Sequence, residues 1–374
     1  MELLSLLVVY CALFIVGSLC LLYRDSAVLS SGPIGVLRQS LTESVERLVP
    51  RSIQNLLHRL CTYLLYTRNC AFQLIFLVLC VLAHLVWLVD MIPILYHHYP
   101  NYNHTLWPFV ALFSNYFCWH MAWTGDPGEI KPNNVNEYMQ IYKPDGMLYE
   151  GNKVCSTCNF KKPVRSKHCA ICNRCVHRFD HHCIWTNNCV GGLNQRYFIM
   201  FMVTLLAMFL QGIYVGTGCV LQYADDIKLY KASYVDDDGT VKSMTVYVAF
   251  QHLFMALPRL VFLIIACVVL SVLVGIFLSH HLYLIFTNQT TNERYKLQDL
   301  LLQHADDTVT DDTVTDDTVT DDINSSHSKK KASKVDTISK NVSSKYRPFS
   351  KGIVSNFLEV FFPYNFMKSK IKNQ

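Results

Sequence analysis

Residues 155–189 read CSTCNFKKPVRSKHCAICNRCVHRFDHHCIWTNNC, and this cysteine-rich stretch decides the fold of the region around it. It contains two copies of one pattern, Cys-x2-Cys-x9-His-x6-Cys, and the second copy begins 14 residues after the first. Three thiolates and one imidazole complete a tetrahedral structural zinc site, and such sites usually begin with a Cys-x2-Cys pair. The spacing therefore predicts two structural Zn²⁺ ions in one interlocked module. The predicted ligands are Cys155, Cys158, His168 and Cys175 for one ion, and Cys169, Cys172, His182 and Cys189 for the other.

Cys183 is the one cysteine of this stretch that belongs to neither copy. It follows Asp180 and His181 closely, in a setting that lowers the pKa of a thiol, and these three residues supply the nucleophile, base and orienter of an acyl-transfer triad. We therefore expect Cys183 to be a nucleophile. His181 is the alternative zinc ligand to His182, but only His182 reproduces both gaps of the pattern. His177 breaks both gaps and is expected to be a surface or packing residue.

A cluster of basic residues precedes His168, and it comprises Lys161, Lys162, Arg165 and Lys167. A run of charge is usually a solvated face. These residues lie near a thiol that is expected to react with an activated acyl donor, so phosphate binding is the more specific prediction. Their side chains can donate charge-assisted hydrogen bonds to phosphate oxygens.

The remainder of the chain has the composition of a membrane protein. Of its 374 residues, 51% are hydrophobic and 16% are charged, whereas an average soluble domain has roughly a quarter charged residues. These values exclude a disordered chain and a small disulfide-stapled domain, and the net charge of +5 gives no reason to expect a nucleic-acid partner. Five apolar runs without Asp, Glu, Lys or Arg are long enough to cross a bilayer. They are Leu3–Leu22, Ala71–Val89, Leu106–Trp123, Tyr197–Leu221 and Leu260–Phe286.

The positions of Lys and Arg predict the orientation of these runs. Ten basic residues lie between the third and fourth runs and thirteen follow the fifth, whereas residues 90–105 contain none. Because basic loops stay in the cytosol, the cysteine-rich stretch and the C-terminus should be cytosolic, and residues 90–105 and 222–259 should be lumenal. Zinc binding is then favoured over disulfides, since the cytosol is reducing.

Asp180-His181-His182-Cys183 in this setting resembles the DHHC family of membrane protein S-acyltransferases. The resemblance extends over residues 126–362. Its further motifs are Cys155-Ser-Thr-Cys158, Lys162-Pro-Val-Arg165, His168-Cys169-Ala-Ile-Cys172-Asn-Arg-Cys175, Asn188-Cys189-Val-Gly191, Asp126-Pro127-Gly128, Thr290-Thr291-Asn292-Glu293, and Asn356 with the aromatic run to Phe362.

The resemblance implies a ping-pong palmitoyltransferase. Cys183 would take a fatty acyl group, most often palmitoyl, from acyl-CoA and pass it to cysteines of cytosolic or membrane proteins close to the bilayer. His181 would be the base and Asp180 its orienter, with Thr291 near Asp180. Both zinc ions would be structural. The CoA phosphates would meet Lys162, Arg165 and Lys167, and the acyl chain would meet Trp185.

The predicted architecture is an all-α polytopic membrane protein of five spans, with a cytosolic two-zinc DHHC module between spans three and four. Its divisions are the first span at 1–23, a cytosolic segment with an amphipathic helix at 24–70, spans two and three at 71–123, the zinc module at 124–196, spans four and five at 197–286, and a cytosolic tail at 287–374.

Several segments outside the spans carry predictions of their own. Leu37–Leu48 and Ile353–Phe361 have the apolar spacing of helices that either lie along the membrane surface or pack against the bundle. Asp306–Asp322 repeats Asp-Asp-Thr-Val-Thr and should be a disordered linker, while the sequon Asn103–Thr105 lies too near a span for ready glycosylation. Lys370–Gln374 resembles a dilysine retrieval signal, which favours the endoplasmic reticulum over the Golgi or plasma membrane.

Two other functions compete with the enzyme. A membrane-anchored zinc adaptor would bind proteins without chemistry and would not need Cys183. A transporter should show ionisable or broken segments in paired halves of its spans, and no such repeat is visible in the sequence.

Overall fold

A computed structural model of the chain describes residues 40, 50–99, 106–236, 238–311 and 346–372. The described residues are mostly helical and fall into two compact units. One unit comprises residues up to Asn69 together with Ala224–Pro258, and the other comprises Cys70–Tyr223 together with the chain from Arg259 onward. The first predicted span, residues 41–48 of the first amphipathic segment, the sequon and most of the acidic repeat lie outside the described residues.

The elements are helices of 5 to 32 residues and strands of two or three residues. In chain order the helices are α1 Arg51–Tyr66, α2 Ala71–Val86, α3 Ile92–His98, α4 Leu106–Thr124, α5 Val135–Met139, α6 Gln195–Asp226, α7 Val246–Ala256, α8 Pro258–Thr287, α9 Thr291–Asp311, α10 Ile353–Phe361 and α11 Pro363–Lys372. The strands are β1 Glu129–Ile130, β2 Lys167–Cys169, β3 Arg174–Val176, β4 His181–Cys183, β5 Asn188–Val190, β6 Ser233–Val235 and β7 Val241–Ser243.

Three helical stretches are long and apolar enough to cross a bilayer. They are Ala71–His98, in which the π-helical turn Trp87–Met91 joins α2 to α3, and the long helices α6 and α8. They correspond to the second, fourth and fifth predicted runs. The third run forms α4, which contains polar Asn115 and His120 and is not among the three. The described residues thus belong to a mostly helical membrane protein with three candidate spans.

The all-α prediction is wrong for the cysteine-rich stretch, which folds into short antiparallel strands. Strands β1, β3 and β2 form one sheet in that order, and β4 pairs with β5. His168 of β2 stands opposite Cys175 of β3, and His182 of β4 stands opposite Cys189 of β5. Each hairpin therefore brings the third and fourth ligands of one predicted zinc site directly across from each other. Strands suit this stretch because an antiparallel hairpin places a histidine and a cysteine that are seven residues apart opposite each other, where both can reach one ion.

The 14-residue period of the sequence is visible in the backbone. Asn159 and Asn173, which follow the two Cys-x2-Cys pairs, both adopt the left-handed conformation, with φ of 54° and 49°. Asn187 follows after another 14 residues with φ of 47°. Asparagine tolerates this conformation better than other residues with a side chain, so each tight turn is closed by a residue suited to it.

A buried ionic network ties the cysteine-rich stretch to the C-terminal helices. The Arg165 side chain is fully buried, and its guanidinium donates to both carboxylate oxygens of Glu293, at 2.6 and 2.8 Å, and to Glu359 at 3.3 Å. Its other hydrogen bonds go to the side chain and backbone oxygens of Asn288, each at 2.9 Å. Arg178 lies 3.4 Å from Glu359 and donates to Asn288. We call these five residues the Arg165 network.

Replacing Arg165 by methionine should destabilise the protein strongly. The change leaves Glu293 without its charged partner in the interior, and breaking a buried ion pair by removing one partner costs about 3–5 kcal/mol. We expect a clear fall in the midpoint of thermal unfolding in detergent, and Lys161→Met, at an exposed position four residues away, should leave it nearly unchanged. Combining Arg165→Met with Glu293→Gln should cost less than the sum of the two single changes. An unchanged midpoint for Arg165→Met would contradict this role.

Candidate active site and zinc-binding clusters

The first predicted ligand set converges on one point. The Nδ1 atom of His168 lies 3.6 Å from Sγ of Cys155, 3.4 Å from Sγ of Cys158 and 3.7 Å from Sγ of Cys175. The sulfur atoms of Cys158 and Cys175 are 3.7 Å apart. A tetrahedral site with Zn–S near 2.3 Å and Zn–N near 2.0 Å separates sulfur from nitrogen by about 3.5 Å and sulfur from sulfur by about 3.8 Å. Donor set and spacing both fit Zn²⁺.

The second set repeats this geometry. The Nδ1 atom of His182 lies 3.8 Å from Sγ of Cys169, 3.3 Å from Sγ of Cys172 and 3.9 Å from Sγ of Cys189. In each cluster four donors surround one point, so a tetrahedral ion would have no position left for a substrate. Both clusters thus have the chemistry of structural zinc sites.

His181 and Cys183 lie on the first strand of the second hairpin and Asp180 directly precedes it, with Asp180 and Cys183 buried and His181 half-buried. Oδ2 of Asp180 lies 2.9 Å from Nδ1 of His181, which leaves Nε2 of the imidazole available to Cys183. Cys183 lies outside both zinc clusters, in an apolar core with Phe198 and Ile285. We call Asp180, His181 and Cys183 the triad; His181 belongs to neither cysteine cluster and lies beside Asp180 and His281.

The electrostatics of the triad favour a thiolate beside an imidazolium. Burial alone would raise the pKa of Cys183, but the hydrogen bond and charge of His181 hold it below its ordinary value. Burial opposes protonation of His181, yet hydrogen bonds to Asp180 and Cys183 raise its pKa to about 10. Asp180 is fully buried, and the hydrogen bond and charge of His181 hold its pKa well below the usual range. An ionised thiol next to a cationic donor is a strong nucleophile.

The Thr290–Glu293 motif supports Asp180 from the start of α9. The backbone N–H of Thr291 donates to Oδ1 of Asp180 at 2.6 Å, so the carboxylate faces the positive end of the helix dipole. Thr290 and Glu293 form a capping box, in which the N–H of Glu293 donates to Oγ1 of Thr290 at 3.2 Å and the N–H of Thr290 donates to Oε2 of Glu293 at 3.0 Å. The Glu293 carboxylate thus caps α9 and also pairs with Arg165.

The Asp126–Gly128 and Asn356 motifs hold the surrounding backbone. Oδ1 of Asp126 accepts from the N–H groups of Gly128 and Glu129, at 2.9 and 2.8 Å. Gly128 follows Pro127 with φ of 96°, and a Cβ there would lie 3.1 Å from Cβ of His177. Asn356 is fully buried in α10 and donates to the carbonyl of Phe286 at the end of α8, at 2.8 Å. These motif residues therefore position the site and do not reach into it.

The residues predicted to bind acyl-CoA do not all lie on one surface. Lys162 and Lys167 line an open pocket of about 330 Å³, together with Lys153 and Tyr295. Arg165 points inward instead, and its three guanidinium nitrogens are occupied in the Arg165 network. The prediction that Arg165 binds the CoA phosphates is therefore wrong, because a fully buried side chain cannot contact the phosphates of a ligand that enters from solvent.

Trp185 takes a different position, beside α2 and α4. It is 42% exposed, its ring contacts Phe72 of α2 edge-on at 5.2 Å, and its carbonyl accepts from Nε1 of Trp119 in α4 at 3.0 Å. His177, which was expected to be a surface or packing residue, is buried and stacks on Tyr142.

Three residues of the site were not assigned from the sequence: His281, Asn288 and Glu359. His281 lies in α8 with its Nδ1 atom 3.7 Å from Oδ2 of Asp180. An ionisable residue inside an apolar run is itself a signal for a functional site. Asn288 and Glu359 carry no such signal, because their partners are distant in sequence.

Comparison with known proteins agrees with this geometry. The family described as "DHHC palmitoyltransferase" matches residues 148–298. The bovine (Bos taurus) protein "Palmitoyltransferase ZDHHC4" is 34% identical over 305 residues, which cover 82% of this chain and 88% of the relative. The mouse (Mus musculus) protein of the same name is 36% identical over 250 residues, 67% of this chain and 73% of the relative.

A more distant relative comes from fission yeast. "Palmitoyltransferase swf1" of Schizosaccharomyces pombe is 31% identical over 191 residues, 50% of this chain and 48% of the relative. The similarity to the mammalian proteins extends well beyond the cysteine-rich stretch and covers most of both chains. With two zinc-type clusters and an Asp-His-Cys triad in place, the chain belongs to the DHHC palmitoyltransferase family and is an enzyme of protein S-acylation.

Proposed function

We propose that Cys183 carries the acyl group as a thioester in a ping-pong transfer from acyl-CoA to protein cysteines. The thiolate of Cys183 attacks the thioester carbonyl, the bond between that carbon and the CoA sulfur breaks, and CoA takes a proton from His181. In the second half, His181 removes the proton from the substrate thiol. The substrate sulfur then attacks the acyl group and Cys183 leaves as a thiolate. Each half transfers one acyl group and one proton, so the enzyme returns to its starting state.

The observation that carries this proposal is the pairing of His181 with Asp180 at 2.9 Å beside a cysteine that belongs to neither zinc cluster. Asp180 holds the imidazole by Nδ1, so Nε2 serves Cys183. This is the division of roles between orienter, base and nucleophile in acyl-transfer triads. In this proposal both zinc ions hold the hairpins that carry the triad, and neither takes part in a chemical step.

The surroundings of Cys183 suit a fatty acyl group. Its thiol packs in an apolar cluster whose members come from α4, β5, α6, α8 and α10. The cluster comprises Ala122, Val190, Phe198, Ile199, Met202, Leu278, Ile285 and Val360. Both α6 and α8 are candidate spans, and Trp185, two residues after Cys183, contacts Phe72 in the remaining one. We propose that the acyl chain, most often palmitoyl, lies among these helices.

The CoA phosphates are proposed to lie in the pocket beside Lys162 and Lys167. Lys153, Lys296 and the exposed ring of Tyr295 line the same pocket, so its four lysines outnumber its two carboxylates, Glu150 and Asp299. Asn292, the neighbour of Thr291, is also part of its wall. Because Thr291 contacts Asp180, one short segment joins this pocket to the triad.

Neutralising the two lysines should weaken acyl-CoA binding more than the chemistry. For Lys162→Gln combined with Lys167→Gln we expect KM for acyl-CoA to rise at least about tenfold with kcat changed less than about twofold, since even one hydrogen bond to a charged group contributes about 1.5–3 kcal/mol. The difference in KM between this double variant and wild type should be smaller at high salt, because salt screens exposed charges. Lys131→Gln with Lys143→Gln removes the same charge outside the pocket and is the matched control. Equal effects of both pairs would contradict the placement.

We further propose that the zinc module and the C-terminal tail face the cytosol, with five spans in all. The distribution of Lys and Arg supports this orientation. Protein substrates would then be those with cysteines close to the cytosolic membrane surface. The C-terminal Lys370 and Lys372 support residence in the endoplasmic reticulum.

Incubation of the purified full chain with labelled palmitoyl-CoA tests the proposed function. We expect hydroxylamine-sensitive label on the peptide that contains Cys183, in protein that retains its zinc. Zinc-replete, folded protein that takes no label at Cys183 would contradict the proposal and favour a zinc adaptor without chemistry.

A further inference from the structure

His281 is a buried polar side chain for which the proposed mechanism has no role. It lies in α8, is 1% exposed, and its Nδ1 atom has no hydrogen-bond partner among the described residues. Leaving a buried N–H or ring nitrogen unpaired is costly, so such groups in native proteins call for an explanation. The acceptor near it is Oδ2 of Asp180, at 3.7 Å.

The packing around His281 fixes the direction of its ring. Phe277 contacts the ring edge-on at 4.5 Å and Phe198 at 5.3 Å, and the ring of His181 lies 5.6 Å away. Phe198 also contacts the ring of His181 at 5.2 Å, so one aromatic side chain touches both histidines. His280, the next residue, is exposed, and its ring meets that of His281 edge-on at 5.8 Å from the solvent-accessible side.

The hydrogen bonds of Asp180 leave room for one more donor. Oδ1 accepts from Thr291 at 2.6 Å and Oδ2 accepts from His181 at 2.9 Å. Each carboxylate oxygen can accept two hydrogen bonds, so Oδ2 has a free lone pair on the side of His281. A closure of less than about 1 Å would bring Nδ1 of His281 to hydrogen-bond distance, and catalytic hydrogen bonds are often long before substrate binds.

We propose that His281 is a positioning residue for acyl transfer, which donates its Nδ1–H to Oδ2 of Asp180 and thereby fixes the carboxylate that orients His181. This inference rests on the proposed role of Cys183. It gives the last candidate span a direct part in the active site: α8 holds the triad's carboxylate from the membrane side, while the start of α9 holds it through Thr291.

Three substitutions at His281 separate this role from simple packing. Asparagine places an amide near the position of Nδ1, glutamine places it near Nε2, and leucine removes the donor while filling space. We expect His281→Leu and His281→Gln to lower kcat for acylation of Cys183 about tenfold with KM for palmitoyl-CoA nearly unchanged, as for outer-shell partners of other sites. His281→Asn should restore most of the rate. His280→Leu is the matched control and should behave as wild type.

The outcomes are distinguishable from failure of the proposed function. Label at Cys183 in wild type and in His280→Leu shows that the acyl-enzyme forms, and zinc content shows that each variant is folded. Equal loss in His281→Leu, His281→Gln and His281→Asn would overturn the hydrogen-bonding role in favour of packing. Unchanged kcat in all three would overturn the inference altogether. A wild type without label would overturn the proposed function and this inference with it.

Discussion

Cys183→Ser is expected to abolish acylation of the enzyme by palmitoyl-CoA while the protein keeps both zinc ions. Cys183 is the cysteine of residues 155–189 that lies outside both clusters, and His181 stabilises its thiolate. A serine hydroxyl in the same place is almost fully protonated and is a far weaker nucleophile, so the rate should fall by at least about 10³-fold. The measurement is hydroxylamine-sensitive label per protein, together with zinc content.

Cys118→Ser is the matched control for this substitution. Cys118 is also a buried free cysteine, but it lies in α4 outside the triad and the clusters, so the variant should be labelled as wild type. Full labelling of Cys183→Ser would contradict Cys183 as the acyl carrier. Loss of zinc in that variant would contradict the assignment of the ligands.

Removing a zinc ligand should have the second large effect, and it should act through folding. Cys158→Ala and Cys172→Ala change equivalent, half-buried ligands of the two clusters. Structural zinc sites contribute apparent binding energies of about 10–16 kcal/mol, and this energy is folding energy. Because β2 contains ligands of both clusters, and β3 pairs with it, loss of one ion should release the other. We expect zinc content to fall towards zero in either variant, with loss of acylation.

Treatment of wild type with a strong chelator should likewise remove zinc and abolish acylation. Zinc added back should restore acylation only if the module can refold. Cys183→Ser provides the control, because it removes a cysteine from the same stretch without touching a cluster. A variant of Cys158 or Cys172 that keeps full zinc and full acylation would contradict the two-cluster assignment.

The sequence was sufficient for the parts of the site whose partners are close along the chain. The 14-residue repeat identified both ligand sets, and elimination left Cys183. Local spacing is informative here because a zinc ion needs four donors of known type at known distances. The strands that carry the ligands were not predicted, since segments of three residues have no periodicity to detect.

The sequence was insufficient where partners are far apart. Arg165 belongs to a basic cluster and was expected to bind phosphate. Its side chain instead pairs in the interior with Glu293 and with Glu359, which is 194 residues away in the sequence. No local pattern distinguishes a solvated arginine from one that is neutralised by distant carboxylates. His281 was likewise visible as a histidine in an apolar run, but its distance to Asp180 depends on how α8 packs against the second hairpin.

The central claim is that the acyl group passes through Cys183, and a chase of the isolated acyl-enzyme tests it most directly. Wild type labelled with palmitoyl-CoA would be freed of CoA and mixed with a membrane-bound peptide that carries a single cysteine. Label should leave Cys183 and appear on the peptide at the same rate, without further acyl-CoA. Label that stays on Cys183 while the peptide is acylated only when acyl-CoA is present would contradict the ping-pong mechanism.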